Sequence, residues 1–369
     1  MNKLYVPTIG GIETWVQQIA EGLNGRTDMR VLVCQEKGVA LEEIYNGVKV
    51  IRAKSYGKLF SLPISIDFFW KFCELSKQTD IIQIHEPFPL IDLAVWLFRP
   101  KAKMVVWWHS DIVRQKVFGK LVAPFIRHTL RQADMVIAAT QGHIKSSDYL
   151  PERTKVIPFG LNFAEYPAQE GKHYLKLSNA RNKKLLFVGR LVYYKGIQVL
   201  LKSIEKVDGA ELFIVGDGPL ADEVKKAISH SSLTESSELV VGSKIHWICS
   251  LSREELLAAF YDCDIFVLPS VANSEAFGIV QLEAMYYGKP VINTKLPTGV
   301  PYVSIDGETG ITVGVGDAEA LAGAIVKLVH DDGLREMYGR NAAKRVREHY
   351  ERGAVLDRLY EEYEVLLSK

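Results

Sequence analysis

"KLLFVGR" (184–190) is the stretch on which the fold turns, because it restarts a pattern that the chain has already run once. It is a short apolar run closed by Gly189 and Arg190, and a segment of helical character, 196–207, follows it. Before it come "MRVLVCQ" (29–35), "VKVIRA" (48–53), "DIIQIHE" (80–86), "KMVVWWHS" (103–110), "DMVIAAT" (134–140) and "KVIPFG" (155–160), each trailed by a longer segment. After it come "AELFIVGDG" (210–218), "KIHWICS" (244–250), "DIFVLPS" (264–270), "KPVINT" (289–294) and "GITV" (310–313), spaced by 219–230 and 252–262. Continuous apolar strands are buried on both faces and belong to parallel sheets. The sequence therefore predicts an α/β chain of two tandem, doubly wound, Rossmann-like domains. The polar segment 162–184 contains Pro167 and Gly171 and marks a hinge, which gives an N-terminal domain over 1–165 and a second over 166–345. The last fifty residues have apolar positions at three- and four-residue steps and no strand. Residues 346–369 are expected to form a helix that crosses back to the first domain.

Composition narrows the function classes. With 369 residues, 48% hydrophobic and 24% charged, the chain is ordinary globular material with enough length for two cores. The formal charge of +1 hides an asymmetry: residues 1–160 carry 21 Lys/Arg against 15 Asp/Glu, and the remainder carries 24 against 29. A nucleic-acid binder would be basic with interleaved aromatics, and no such motif is present. Cys34, Cys73, Cys249 and Cys263 are scattered, without a CxxC pair or metal-ligand spacing, and read as reduced thiols of a cytoplasmic protein. No apolar run approaches the ~20 residues of a membrane span, so membrane contact is expected to be peripheral.

In doubly wound sheets ligands bind beyond the carboxyl ends of strands, so the strand-to-helix junctions hold the chemistry. "PTIGG" (7–11) brings Gly10 and Gly11 to the start of an amphipathic helix, where free N–H groups suit a phosphate; a plain turn is the other reading. In "FVGRLVYYKG" (187–196) Arg190 and Lys195 offer a planar fork and a compact charge to a diphosphate, against the alternative of a solvated pair. "VGDGP" (215–219) puts Gly216 in a tight bend that can line a nucleotide pocket. No GxGxxG opens either domain, which disfavours a dinucleotide enzyme. "SEAFGIVQLE" (274–283) sets Glu275 on the loop before a helix starting about Phe277, and Glu283 roughly two turns inside it. At 1.5 Å per residue the two carboxylates are about 9 to 12 Å apart. They cannot share a proton, and would hold separate parts of one long ligand while the N–H groups of Ala276, Phe277, Gly278 and Ile279 meet phosphate between them. The bland alternative is a helix-start charge and a solvated face residue. His109 and His85 close two strands of the first half, and His109 is favoured for the site; Trp107 and Trp108 read as one core and one surface-packing aromatic.

Taken together, "GGIE" (10–13), "HSD" (109–111), "PFGLN" (158–162), "VGRLVYYKG" (188–196), "VGDGP" (215–219) and "SEAFGIVQLEAM" (274–285) resemble the retaining family 4 glycosyltransferases of the GT-B fold, along nearly the whole chain. The resemblance implies two domains facing a cleft and a nucleotide-diphosphate sugar as co-substrate, with no metal. It implies that His109 and Glu275 contact the donor sugar, that Arg190 and Lys195 hold the diphosphate, that Glu283 holds the ribose, and that Trp247 and Ile248 lie near the base. Retention would come without a protein nucleophile, the acceptor hydroxyl attacking the face the diphosphate leaves. "NTKLPTGVPYVS" (293–304) looks most like transferases that move mannose or rhamnose onto a glycan or lipid-linked acceptor in surface-polysaccharide assembly. A sugar-nucleotide epimerase of the same architecture and a non-catalytic nucleotide-sugar binder are the rival readings. The chain departs from the family at its start: only "KLYV" (3–6) stands where a full apolar strand is usual, so either translation starts earlier or the sheet tolerates a stub. Between Arg99 and Arg131 eight Lys/Arg meet one acid, Asp111, which suits peripheral docking on anionic lipid at the inner face of the membrane, or else a solvated helix face.

Overall fold

The computed structural model describes every residue except 9, 60–61, 112–115, 170–173, 178, 230–233, 237–238 and 242–243. The chain divides into two compact units, one made of residues 1–159 with 352–369 and the other of residues 160–351.

The first unit begins with α1 (Gly11–Leu23) and the strands β1 (Arg30–Cys34), β2 (Leu41–Tyr45) and β3 (Val48–Ala53). A two-rung ladder of β4 (Lys58–Leu59) and β5 (Leu62–Pro63) leads to α2 (Asp67–Leu75). Then β6 (Ile81–Glu86), α3 (Pro89–Phe98), β7 (Lys103–Trp108), α4 (Lys116–Gln132), β8 (Met135–Ala138), α5 (Gln141–Ser146) and β9 (Lys155–Val156) alternate. Strands β6, β7, β8 and β9 pair in that order, all parallel, and β1 pairs parallel with β3. Residues 1–3 join the two groups. The Asn2 N–H donates to Leu32 O (3.2 Å) and Lys3 O accepts from Cys34 N–H (3.2 Å), while Met1 O accepts from His85 N–H (3.1 Å). The stub thus occupies the line between β1 and β6 and satisfies backbone groups on both sides.

Two expectations for this unit need correction. The sequence reading held parallel strands only, yet β3 also pairs antiparallel with β2. The turn between them is Asn46-Gly47, both at positive φ (48° and 81°), a combination that closes a two-residue hairpin. Trp107 and Trp108 were divided between core and surface; both are buried, at 0% and 1% exposure. They lie on opposite faces of β7, whose sheet is covered on both sides. Trp107 packs on Trp15 of α1, and Trp108 joins the cluster of Ile84, Phe88, Val106 and Ile126.

The second unit holds β10 (Lys183–Val188), α6 (Ile197–Ile204), β11 (Ala210–Val215), α7 (Ala221–Ser229), a short hairpin of β12 (Thr234–Ser236) and β13 (Leu239–Val241), and β14 (Ile245–Ile248). It continues through α8 (Arg253–Asp262), β15 (Ile265–Leu268), α9 (Ile279–Tyr286), β16 (Val291–Thr294), α10 (Val300–Val303), β17 (Gly310–Val313), α11 (Ala318–His330) and α12 (Asp332–His349). The sheet order is β12-β13-β14-β11-β10-β15-β16-β17, parallel from β14 onward. All six residues of β11 are buried, Glu211 among them. A buried carboxylate needs partners, and Glu211 accepts from Asn179 N–H (2.8 Å) and Asn182 Nδ2 (3.0 Å) and meets His246 Nε2 at 2.7 Å. The last helix, α13 (Arg352–Leu367), belongs to the first unit: it packs on α1 and buries Val355, Leu356, Leu359 and Tyr363.

Candidate active site

In the second unit the carboxyl ends of β10, β15 and β11 carry the charged residues that the sequence singled out. Arg190 follows β10, is exposed, and has no ion-pair partner among the described residues. Lys195 closes the 3₁₀ turn Tyr193–Lys195 just before α6. Its Nζ stands 2.5 Å from Glu275 Oε2, with both side chains largely buried. Ser270 Oγ, at the end of β15, donates to the same oxygen (3.2 Å). One oxygen of Glu275 is thus held by a cation and a hydroxyl, and Oε1 takes no bond among the described residues. Sequence reasoning assigned Lys195 to phosphate and Glu275 to sugar as separate contacts; the structure brings them together as one pair.

The helix after Glu275 starts two residues later than expected. Gly278 adopts the left-handed conformation (φ 73°) as the cap, and α9 begins at Ile279. A Cβ at Gly278 would come within 2.7 Å of Leu268 Cδ2 and Gln281 Nε2. The turn leaves the N–H groups of Ala276, Gly278 and Ile279 without a backbone partner among the described residues, whereas Phe277 turns inward at 3% exposure and meets the Tyr350 ring. Unpaired N–H groups at a helix start attract anions.

Glu283 sits on α9 with its side chain 14% exposed. Arg253 Nη1, from the first residue of α8, donates to its Oε1 at 2.7 Å, and Tyr166 Oη donates to that oxygen at 3.1 Å. The guanidinium also lies over the Tyr166 ring, 4.9 Å from its centre. Burial first, and then the Glu283 charge, pushes the Tyr166 phenol far above its ordinary range, so it stays a donor. Oε2 of Glu283 is left unbonded among the described residues. Arg253 and Tyr166 were missed from the sequence. A signal for the first existed: Ser252 and Glu255 form a capping box, which puts Arg253 at the first turn of a helix beyond a strand's carboxyl end.

Gly216 follows β11, donating its N–H to Ile248 O (2.9 Å) and accepting from Trp247 Nε1 (2.8 Å). The Trp247 edge is therefore committed to the backbone, and Ile248 is 7% exposed.

In the first unit His109 follows β7 and is buried at 3% exposure. Burial first, and then His143, pulls its imidazole down to about 3, so it is neutral at physiological pH. Its Nε2 meets His85 Nδ1 at 2.9 Å, and its Nδ1 has no partner among the described residues. His109 and His85, weighed as alternatives in the sequence, are hydrogen-bonded to each other. Gly10 caps α1 in an extended conformation (φ −173°), and the Glu13 carboxylate stands over it, 2.2 Å from where a Cβ would lie. That helix start already carries its own anion.

Comparison with known proteins supplies the fold and the family. Residues 9–165 match the family described as Glycosyltransferase Family 4, and residues 175–345 match Glycosyl transferases group 1. The chain is 30% identical to O-antigen chain mannosyltransferase C of Escherichia coli, over 99% of this chain and 97% of that protein. It is 33% identical to D-rhamnosyltransferase WbpZ of Pseudomonas aeruginosa, over 92% of this chain and 88% of that one. Among solved structures, sucrose-phosphate synthase from Thermosynechococcus elongatus superposes with a TM-score of 0.78 at 22% identity, covering 100% of this chain and 95% of the other. Anabaena Alr3699/HepE in complex with UDP gives 0.74 at 18% identity, over 99% and 98%. These structural likenesses carry the fold, two Rossmann-like domains of the GT-B type, and the sequence relatives carry the family. The chain belongs to the group 1, family 4 glycosyltransferases and is a glycosyltransferase enzyme.

Proposed function

We propose that this enzyme moves a hexose of the mannose or rhamnose type from a nucleotide-diphosphate sugar to a glycan or lipid-linked acceptor of a surface polysaccharide, in the cytoplasm. The observation that carries the proposal is the Lys195–Glu275 pair at the free N–H groups before α9, with Glu283 about one turn inside that helix. A sugar at Glu275 Oε1, a diphosphate at Arg190, Lys195 and the helix start, and a ribose at Glu283 Oε2 use each available group once. The named sequence relatives supply the sugar class and the acceptor class, and both are transferases rather than epimerases.

The same residues support transfer with retention. The bond from the anomeric carbon to the diphosphate oxygen breaks while the acceptor oxygen bonds to that carbon on the same face. The acceptor's proton passes to the departing phosphate oxygen. Arg190, Lys195 and the N–H groups before α9 stabilise the charge that develops there, so most of the rate enhancement is positioning and preorganised electrostatics. The cations take the part a metal would otherwise play.

A panel of nucleotide sugars scored by thermal shift, followed by product analysis with the best donor, tests the reading. Glu275→Ala is expected to lower turnover on the order of 10²–10³-fold, as loss of one preorganised polar group does, and turnover by the parent enzyme is expected to persist in EDTA. Full turnover by the Glu275→Ala variant would remove that residue from the site.

Peripheral membrane docking has its own support. On α4, Val122, Ala123, Ile126 and Leu130 face the core, which leaves Lys120, Leu121, Arg127 and Arg131 outward; Leu121 is 71% exposed, and Trp96 and Leu97 of α3 are 45% and 52% exposed. Among the described residues no helix is long and apolar enough to cross a membrane. Of the basic stretch, Arg114 lies outside the described residues. Flotation with anionic vesicles at low salt should carry the protein upward and neutral vesicles should not; no flotation with either ends this reading.

A further inference from the structure

The imidazole of His109 is the end of a hydrogen-bonded chain that starts on the last helix. Tyr363 of α13 donates its hydroxyl to Gln83 Oε1 of β6. Gln83 Nε2 meets His85 Nε2 at 2.9 Å, and His85 Nδ1 meets His109 Nε2 at 2.9 Å. His85, His109 and Tyr363 are buried at 3%, 3% and 6% exposure. The rings are held in one orientation: His85 lies within 14° of parallel to His109, and Trp107 and Phe159 flank the pair within 10–15°. Stacking between these planes opposes a turn of either imidazole out of its hydrogen bonds.

The polarity of this chain follows from its first member. Gln83 is the one partner of the Tyr363 hydroxyl among the described residues, and a buried O–H without an acceptor is costly, so the carboxamide oxygen of Gln83 faces Tyr363 and its NH₂ faces His85. His85 must then accept at Nε2 and carry its proton on Nδ1. That proton is donated to His109 Nε2, which leaves the His109 proton on Nδ1, where no described residue accepts it. A buried N–H left without a partner is costly unless a ligand completes it.

We propose that Tyr363, Gln83 and His85 are positioning residues that fix His109 in the Nδ1–H tautomer, so that its Nδ1 can only donate a hydrogen bond, to a hydroxyl oxygen of a sugar, and cannot take a proton. The proposal rests on the reading of His109 as a sugar contact. It also fits that reading, because a transfer in which phosphate takes the acceptor's proton needs no imidazole base.

Two-dimensional ¹⁵N–¹H correlation of the full-length protein labelled at its histidine rings reads the tautomers directly, with His109→Gln identifying the His109 signals. The wild type should show protonated Nδ1 and bare Nε2 for both His85 and His109. Gln83→Glu keeps the shape but offers only acceptors, so His85 is forced to Nε2–H and His109 to Nε2–H. This variant should lower kcat with the best donor on the order of tenfold or more, while affinity for the nucleoside diphosphate alone stays unchanged. Tyr363→Phe, which removes only the first donor, should give a mixture of tautomers and an intermediate kcat. An Nε2–H signal for His109 in the wild type, or tautomers and kcat unmoved in both variants, overturns the proposal. Full turnover by His109→Gln would instead overturn the site assignment and leave the tautomer result standing.

Discussion

Among the described residues Glu283 uses only one of its oxygens, a division of labour that suits the proposed ribose contact. Arg253 and Tyr166 converge on Oε1, so the carboxylate plane is fixed while Oε2 keeps its lone pairs for a ligand. Replacing Arg253 by Met should weaken nucleoside diphosphate binding by about 1 kcal/mol, roughly fivefold, since half of that side chain is in solvent and screened. Tyr166→Phe should cost a similar amount without the salt dependence that the Arg253 contact shows. Titration calorimetry at two ionic strengths separates the two, and equal salt slopes in both variants would contradict the assignment. Glu275, Glu283, Arg190 and Lys195 were legible in the sequence because each stands at a strand end or in one short motif. Their partners were not. Arg253 and Tyr166 lie 30 and 117 positions from Glu283, and only the fold says that they meet. The opposite case is Lys195, whose position was legible but whose pairing with Glu275 joins two segments 80 residues apart.

At the scale of elements, α9 is set by its cap. Gly278 takes a left-handed conformation that costs other residues about 1–2 kcal/mol, and any side chain there also meets Leu268 and Gln281. Gly278→Ala should therefore lower stability by more than that amount, seen as a drop in urea midpoint. It should also weaken diphosphate binding, because the N–H groups before α9 lose their direction; a variant with normal binding would separate the cap from the anion site. The apolar strands were legible since continuous burial writes itself as continuous β-branched sequence, as in β8 and β11. Strand β2 was not, because "LEEIY" (41–45) lies at a sheet edge with its residues exposed or half-buried and spells no apolar run. Its true signal was the Asn46-Gly47 turn, a hairpin mark that a search for parallel strands passes over.

For the molecule as a whole, the first unit contains titratable groups that pull in opposite directions. Burial is the largest cause in each case: it lowers His85 well below the usual range, His109 to about 3 and His143 to about 4, and it lowers the Met1 ammonium to about 5. These groups are neutral in the fold but protonate once unfolded, so their contribution is complete above the unfolded pKa and is lost as pH falls toward the folded one. Burial also raises Asp92 to about 7, raises Glu86 well above its ordinary value, and raises Asp111. Their stabilisation runs the other way, growing as pH falls below 7. The lowered groups outnumber the raised ones, and each unmatched proton is worth about 1.4 kcal/mol per pH unit. Thermal stability should therefore fall between pH 6.5 and pH 4, and His143→Gln should flatten the slope. A melting temperature that rises with acid over that range would mean the raised carboxyl groups dominate.

The placement of α13 also bears on how the protein is made. Residues 160–351 form one unbroken stretch, so the ribosome releases everything the second unit needs while the first still lacks its last helix. The faces that receive Leu356, Leu359 and Tyr363 stay uncovered until α13 has been made, so the first unit is completed after the second. During synthesis it is the amino-terminal half that would engage chaperones longest, a reversal of the usual vectorial order.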